Sequence, residues 1–204
     1  MSINNTIVFL IAGLALVGCG SFKAERVDSQ KSDEKALTIT DQWIQHDTEQ
    51  VIKDVVKEMG EHGGLKRYLA EHGRSLKLFV GEVQNLTSEA YFPINDINDE
   101  LLNEISKSGD FVLVDAQARE ALLKEITYQN DGMVDPKTAK KVGKQTGADL
   151  MIFGNIFMKP ESRDGKTIKQ YALNLRITDI QSGTEIFRSR VKLSKFSEQK
   201  KMGW

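Results

Sequence analysis

From Tyr171 to Leu193, apolar and polar residues alternate on either side of Gln181-Ser182-Gly183, a pattern that few folds accommodate. Tyr171, Leu173, Leu175 and Ile177 line one side of the first arm. Phe187, Ser189, Val191 and Leu193 line one side of the second. A two-residue Ser182-Gly183 turn would pair Ile177 with Arg188 and set apolar against polar throughout, because a slip of one residue turns every side chain over. A three-residue loop over 181–183 instead pairs Ile177 with Phe187, Leu175 with Ser189 and Leu173 with Val191. It also puts Gly183 at the left-handed position that such a loop requires, with a bulge. This second register is the expected one.

Upstream, helical and strand periods take turns. Ile44, Val51, Ile52, Val55, Val56 and Met59 predict a helix over 41–59, with N-cap candidates in Thr38-Ile39-Thr40-Asp41. Gly60 and Gly63-Gly64 end it, and 65–70 adds a helical turn. Ser75–Val83 alternates as a strand, turned by Asn85-Leu86-Thr87. Leu101, Leu102 and Ile105 predict a helix over 97–105. Phe111-Val112-Leu113-Val114, a continuous apolar run, predicts a central strand buried on both faces. Helices are expected over 116–128 and 135–147, and a strand over 150–156. The order α, β, α, β, α, α, β, β, β implies parallel early strands with right-handed crossovers and a closing antiparallel hairpin. The expected class is α/β: one mixed sheet of about five strands with helices packed on it.

The N-terminus adds a second constraint. Ile7–Val17 is an apolar run of about eleven residues, too short for the ~20 that a membrane-spanning helix needs. It leads into Leu16-Val17-Gly18-Cys19, which holds the chain's one cysteine. This resembles the Leu-x-Gly-Cys signal of bacterial lipoproteins. The resemblance implies that the Cys19 thiol receives a diacylglyceryl group, that cleavage makes Cys19 the new N-terminus, and that its amine is acylated too. Several acyl chains at ~0.8 kcal/mol per buried CH₂ anchor stably. The expected organisation is a signal peptide over 1–18, a lipidated flexible tether over 19–36 and a globular domain over 37–204. The tether is polar and charged with no apolar periodicity, so it is expected to stay unordered; its residues reach at most ~60 Å and average ~23 Å as a coil.

Several chemistries find no residues to carry them. With Cys19 acylated, no thiol is left for a disulfide, a redox pair or a thiolate metal site, so the exported body depends on its own core. A net charge of −1 implies no bulk attraction to nucleic acid. Gly165-Lys166-Thr167 resembles the tail of a phosphate-binding loop, but the motif's first glycine falls on Pro160 and no helix follows, so a turn between strands is expected. Gly143 and Gly147 lie in or after a helix, and no dinucleotide fingerprint forms. His46, His62 and His72 lack partners at metal-ligand spacing and are expected on solvated surface. No Gly-x-Ser-x-Gly elbow occurs, and the carboxylates fall on polar helix faces. No catalytic residue, cofactor, metal or small-molecule substrate is expected.

One constellation stands apart. In the hairpin register above, Arg176, Arg188, Arg190 and Lys192 project from the face opposite the apolar one, with Arg176 directly across from Arg188. Like charges so placed destabilise a sheet. Lys and Arg of this kind can serve to discourage edge pairing; as a functional feature they form a basic patch for an acidic protein surface.

From about Thr40 onward the chain resembles the LpoB family of penicillin-binding protein activators. The resemblance is carried by the opening amphipathic helix with Trp43 and by Gly81-Glu82-Val83-Gln84-Asn85-Leu86-Thr87. It continues through Ser108-Gly109-Asp110-Phe111-Val112-Leu113-Val114-Asp115, through Val142–Gly154 with its Gly147-Ala148-Asp149, and through the hairpin Leu173–Glu185. Membership implies a periplasmic lipoprotein of the outer membrane. Its domain, similar to the N-terminal domain of TolB, docks on a bifunctional class A penicillin-binding protein and stimulates peptidoglycan polymerisation and crosslinking. It also implies that Asn85, Thr87 and Gly154 fix backbone turns. Phe187 stands where members often carry Trp, and the tether is shorter than the family's long Pro-rich linkers. A secretion-channel lipoprotein similar to the curli exporter shares the 147–153 pattern and is the competing reading.

Overall fold

The computed structural model describes residues 24–72, 75–114, 124, 127 and 147–199. Described residues up to Ser32 and those from Asp33 onward belong to two compact units. Cys19, the 1–18 signal and nearly all of the helices expected over 116–128 and 135–147 lie outside the described residues; of 116–128 only Lys124 and Thr127, both helical, are described.

Regular structure starts earlier than the sequence reading expects, with helix α1 (Ser29–Ile39). Asp28 Oδ1 accepts the Lys31 amide at 3.0 Å, satisfying one of the donors that every helix start leaves open. Gln30, Lys31, Glu34, Lys35, Ala36 and Leu37 are good helix formers. No residue of α1 is buried, so the segment has a helix but no apolar stripe for periodicity to reveal.

The main body is one mixed sheet in the order β2-β1-β3-β4-β5. Its strands are β1 (Leu76–Asn85), β2 (Phe111–Val114), β3 (Leu150–Arg163), β4 (Lys166–Asp179) and β5 (Glu185–Glu198). β1 runs parallel to β2 and β3, whereas β3, β4 and β5 form an antiparallel meander. Helices α2 (Gln45–Glu61), α3 (Gly63–His72) and α4 (Ile94–Ser108) accompany it. Val51, Ile52, Val55 and Met59 of α2 and Ile97, Leu101 and Ile105 of α4 join Leu78, Ile152, Leu173, Leu175 and Phe187 in one buried cluster.

The closing hairpin has the expected register: Ile177 faces Phe187, Leu175 faces Ser189 and Leu173 faces Val191. The loop differs in detail. Thr178 pairs with Glu185, so a bulge beside Ile186 takes up one residue and the turn runs over 180–183. Gly183 has the left-handed φ of 70° that it was expected to need.

Three expectations are corrected. Phe111–Val114 is not central among the described strands: β2 ends the sheet order and Val112 is 48% exposed. β3 and β4 run well past 156 and before 171, because Asp164 (φ 52°) and Gly165 (φ 79°) close a tight two-residue turn with the positive φ values that match strand twist. Pro160 sits in that extension, beyond the Asn85–Ile156 pair that ends the contact with β1, where a strand lacks a neighbour on one side and tolerates a missing N–H. Gly154 fixes no turn. It lies mid-strand opposite Leu175, and a Cβ there would come within 1.9 Å of the Asn174 carbonyl oxygen and 2.8 Å of Leu175 Cδ2. Asn85 and Thr87 do form a turn, the Asn85 Oδ1 accepting the Thr87 amide at 2.8 Å and its hydroxyl at 2.7 Å.

Helix α2 starts later than 41 because Asp47 is drawn to the chain ahead of it. Its carboxylate accepts the Ile44 amide at 2.9 Å and the ammonium of the buried Lys195 at 2.5 Å.

Gly154→Ala is expected to destabilise the fold by about 3 kcal/mol or more. Gly60→Ala, in the last turn of α2 where a Cβ meets nothing within 4 Å, is expected to stabilise it by up to ~1 kcal/mol. Urea midpoints of the two variants check both signs.

Candidate docking face

Successive side chains of β4 and β5 point to opposite faces, so the residues between the core-facing ones project from the other side of the sheet, where the small Ala172 is itself covered. Arg176, Arg188, Arg190 and Lys192 are all exposed there, and Arg176 is the direct cross-strand neighbour of Arg188. The structure thus brings all four predicted residues together, and it supplies partners that sequence reasoning did not find. The Arg176 guanidinium lies 4.2 Å from the centre of the Phe153 ring, and that of Arg190 lies 5.3 Å from the Phe157 ring. Between these two stacks, Asn174 Nδ2 donates to Asn155 Oδ1 at 2.9 Å.

Glu185 compensates one of the two opposed arginines. Arg188 Nε and its terminal nitrogen hold the two Glu185 carboxylate oxygens at 2.7 and 2.5 Å, a bidentate geometry. This hydrogen bonding lowers the Glu185 pKa, against some desolvation, with the nearby Arg176 charge adding to the effect. Arg190 and Lys192 have no carboxylate partner among the described residues. Beside the row lies a groove of about 780 Å³, floored by Phe79, Met151 and Phe153, with Arg176 and Arg188 in its lining. The stacks were hidden because they depend on the β3–β4 register. The Asp164-Gly165 turn sets that register and pairs Phe153 with Arg176.

Other residues weighed from the sequence fall elsewhere. His62 is not a free surface histidine: its Nδ1 accepts the Leu65 amide at 3.0 Å and its ring meets Phe187 edge-on at 5.3 Å. His46 lies 3.4 Å from Asp33, and His72 packs against Tyr68 at 4.3 Å. Several carboxylates bind structure rather than water. Glu89 takes Lys169 at 3.0 Å and the Tyr171 hydroxyl at 2.8 Å, Glu58 takes the Ser189 hydroxyl at 2.5 Å, and Asp41 takes Ser197 at 2.6 Å and Lys169 at 3.0 Å. Gly165-Lys166-Thr167 is a turn running into β4. Among the described residues, no group of three or more His, Cys, Asp or Glu is placed to hold a metal, and no helix is long and apolar enough to cross a membrane.

Comparison with known proteins places these observations beside others. The profile of the family described as peptidoglycan-synthase activator LpoB matches residues 47–193. Among solved structures, the chain is similar to the LpoB C-terminal domain from Escherichia coli, at 15% identity over 72% of this chain and 98% of that one, with a TM-score of 0.43. The LpoB C-terminal domain from Salmonella enterica gives 15% identity over the same shares and a TM-score of 0.42. Lipoprotein GNA1162 from Neisseria meningitidis gives 14% identity over 62% of this chain and 88% of that one, with a TM-score of 0.38. No curated protein matches the chain.

The loop that sets the spacing of Arg176 and Arg188 is pinned by Asp179. The Tyr68 hydroxyl donates to its Oδ2 at 2.5 Å, and the Ser182 amide and hydroxyl donate to its Oδ1 at 2.6 and 2.8 Å. Led by the Tyr68 bond, these hold the Asp179 pKa down to about 2, while burial first and Asp179 second push Tyr68 up to about 12. A depressed carboxylate stabilises the fold fully above its unfolded pKa of ~3.9 and loses that contribution as pH falls through about 2. In Tyr68→Phe the Asp179 pKa is expected to rise toward the ordinary aspartate value, and acid unfolding to begin at higher pH. Carboxyl-detected NMR titration and pH-dependent melting measure the two effects.

Proposed function

Because the chain belongs to the peptidoglycan-synthase activator LpoB family, we propose that it is a lipid-anchored envelope protein that binds and activates a bifunctional class A penicillin-binding protein, catalysing nothing itself. The observation that carries this reading is the family match from α2 into β5, over residues 47–193. In this reading residues 1–18 are removed, Cys19 carries the lipid, 19–36 tether, and 37–204 form the body, at the periplasmic face of the outer membrane. Helix α1 shortens the tether: its first eight residues, 29–36, span about 12 Å as a helix where an extended chain would span up to ~29 Å. The synthase domain it contacts therefore has to project toward the anchoring membrane.

Arg176, Arg188, Arg190 and Lys192 are the partner-binding residues of this proposal. Guanidiniums already laid on phenylalanine rings lose little freedom on binding, and an exposed basic row recognises an acidic surface. Activation then works by population shift. If the body binds the active synthase conformation tenfold more tightly than the inactive one, the equilibrium moves by about 1.4 kcal/mol.

Arg190→Glu combined with Arg176→Glu is expected to weaken synthase binding at least tenfold and to abolish stimulation of glycan polymerisation. The melting temperature should move by only a few degrees, since an exposed cation–π stack contributes ~0.5–1 kcal/mol and each kcal/mol shifts it by roughly 2–4 °C in a domain of this size. Pull-down against the purified synthase, with polymerisation rates alongside, checks this; unchanged binding by the double variant refutes it.

A further inference from the structure

The basic row does not fill its face. Toward the Asp164-Gly165 turn, Ile168 of β4 stands directly opposite Phe196 of β5, and Ile168 is 41% and Phe196 61% exposed. Strand alternation puts both on the same side of the sheet as Arg190 and Lys192. Single exposed apolar residues need no explanation, but here a ring and a branched aliphatic chain are paired in register on a three-strand platform.

The charges around this pair are spent within the protein. Lys159 holds Glu161 at 2.8 Å and Lys166 holds Glu198 at 3.6 Å, leaving a neutral frame about an apolar patch. At the other end Glu185 is held by Arg188 and the exposed Glu82 lines the neighbouring groove, while Arg190 and Lys192 have no carboxylate partner among the described residues. Among the described carboxylates of this face, a second copy would offer those two cations only Glu82 outside an ion pair, one group for two charges, so the occupant must bring further acidic groups of its own. Phe196 lies eight residue steps along β5 from Arg188, about 27 Å at ~3.4 Å per residue.

We infer that the docking face has two determinants, and that the Ile168–Phe196 pair is its apolar anchor. This deepens the proposed function and rests on it: the occupant is the synthase, presenting an acidic patch to Arg190 and Lys192 and, beside it, an apolar pocket that receives the Phe196 ring. The basic row steers and orients the encounter, while the buried ring slows dissociation, as aromatic side chains at interface centres do.

The test compares Phe196→Ser and Phe196→Leu with Arg190→Glu in the full chain, measuring synthase affinity across a range of salt concentrations. Phe196→Ser is expected to weaken binding at least tenfold while keeping the wild-type salt dependence. Phe196→Leu, which keeps an apolar group there, should stay within about threefold of wild type. Arg190→Glu should flatten the salt dependence. Near-native melting of each variant shows that the body still folds. Wild-type affinity in Phe196→Ser overturns the inference even where Arg190→Glu confirms the basic row; failure of the wild-type chain to bind any class A synthase overturns the proposed function itself. The inference also falls if Phe196→Ser alters only self-association in sedimentation, or only flotation with phosphatidylethanolamine–phosphatidylglycerol vesicles, since a second copy or a lipid surface would then be the occupant.

Discussion

The alternation of β4 divides the molecule, and most of its architecture follows from that division. Tyr171, Leu173, Leu175 and Ile177 point into the core and are almost wholly buried, while Ala172, Asn174 and Arg176 between them point away. β4 pairs along its whole length, with β3 on one side and β5 on the other, so its period is imposed on both neighbours. A shift of one residue would bury Arg176 and expose Leu175, at a cost of several kcal/mol for an unpaired buried charge. The same restriction reaches β3 at Gly154, where the Asn174 carbonyl comes so close that no side chain fits. The register of the core and the composition of the outer face are therefore one constraint seen from two sides.

Polar contacts close the end of the core that the strands leave open. Lys195 lies buried, giving hydrogen bonds to Asp47 at 2.5 Å and to the Gln42 carbonyl at 2.6 Å. Asp47 also accepts the Ile44 amide, and Trp43 reaches Thr48 at 2.8 Å while packing edge-on against Tyr171. Lys169 joins Asp41 to Glu89 in the same way. A buried ion pair adds little stability over an apolar pair of the same shape, but it permits few alternative partners. Here it ties the approach to α2 onto the far ends of β4 and β5. No buried side-chain nitrogen or oxygen is left without a partner among the described residues, as such a network requires if it is to order a fold and not weaken it.

What the sequence discloses depends on whether the signal is local. The closing hairpin is legible because period-two alternation and one left-handed glycine act within a few residues of each other. The amphipathic faces of α2 and α4 are legible for the same reason, and so is the basic row, which follows from the hairpin register alone. Helix α1 is not, because it is held by an Asp28 cap and intrinsic propensity without any apolar stripe. The edge position of β2 escapes because four apolar residues look the same in the middle of a sheet and at its end. The phenylalanines beneath Arg176 and Arg190 escape because they belong to β3, whose alignment is set by a turn at Asp164-Gly165 that acts through ten residues of strand. The roles of Asp47, Glu58 and Glu89 escape for a related reason: their partners on β4 and β5 lie eighty residues or more away in the chain.

A face built this way is suited to recognition. Opposing Arg176 to Arg188 costs stability, and Glu185 offsets it for one of the two only. The stacks on Phe153 and Phe157 hold guanidiniums in place without neutralising them, so their charge stays available while their motion is restricted. A partner carboxylate placed among them gains the attraction and also relieves the mutual repulsion, two effects that act only in the complex. That differential is what the proposed function needs, because a binder shifts its partner's equilibrium only by the difference between its affinities for the partner's states. In the proposed function, strands paired on both sides of β4 fix the spacing of the row, so it favours the partner state whose acidic groups match that spacing.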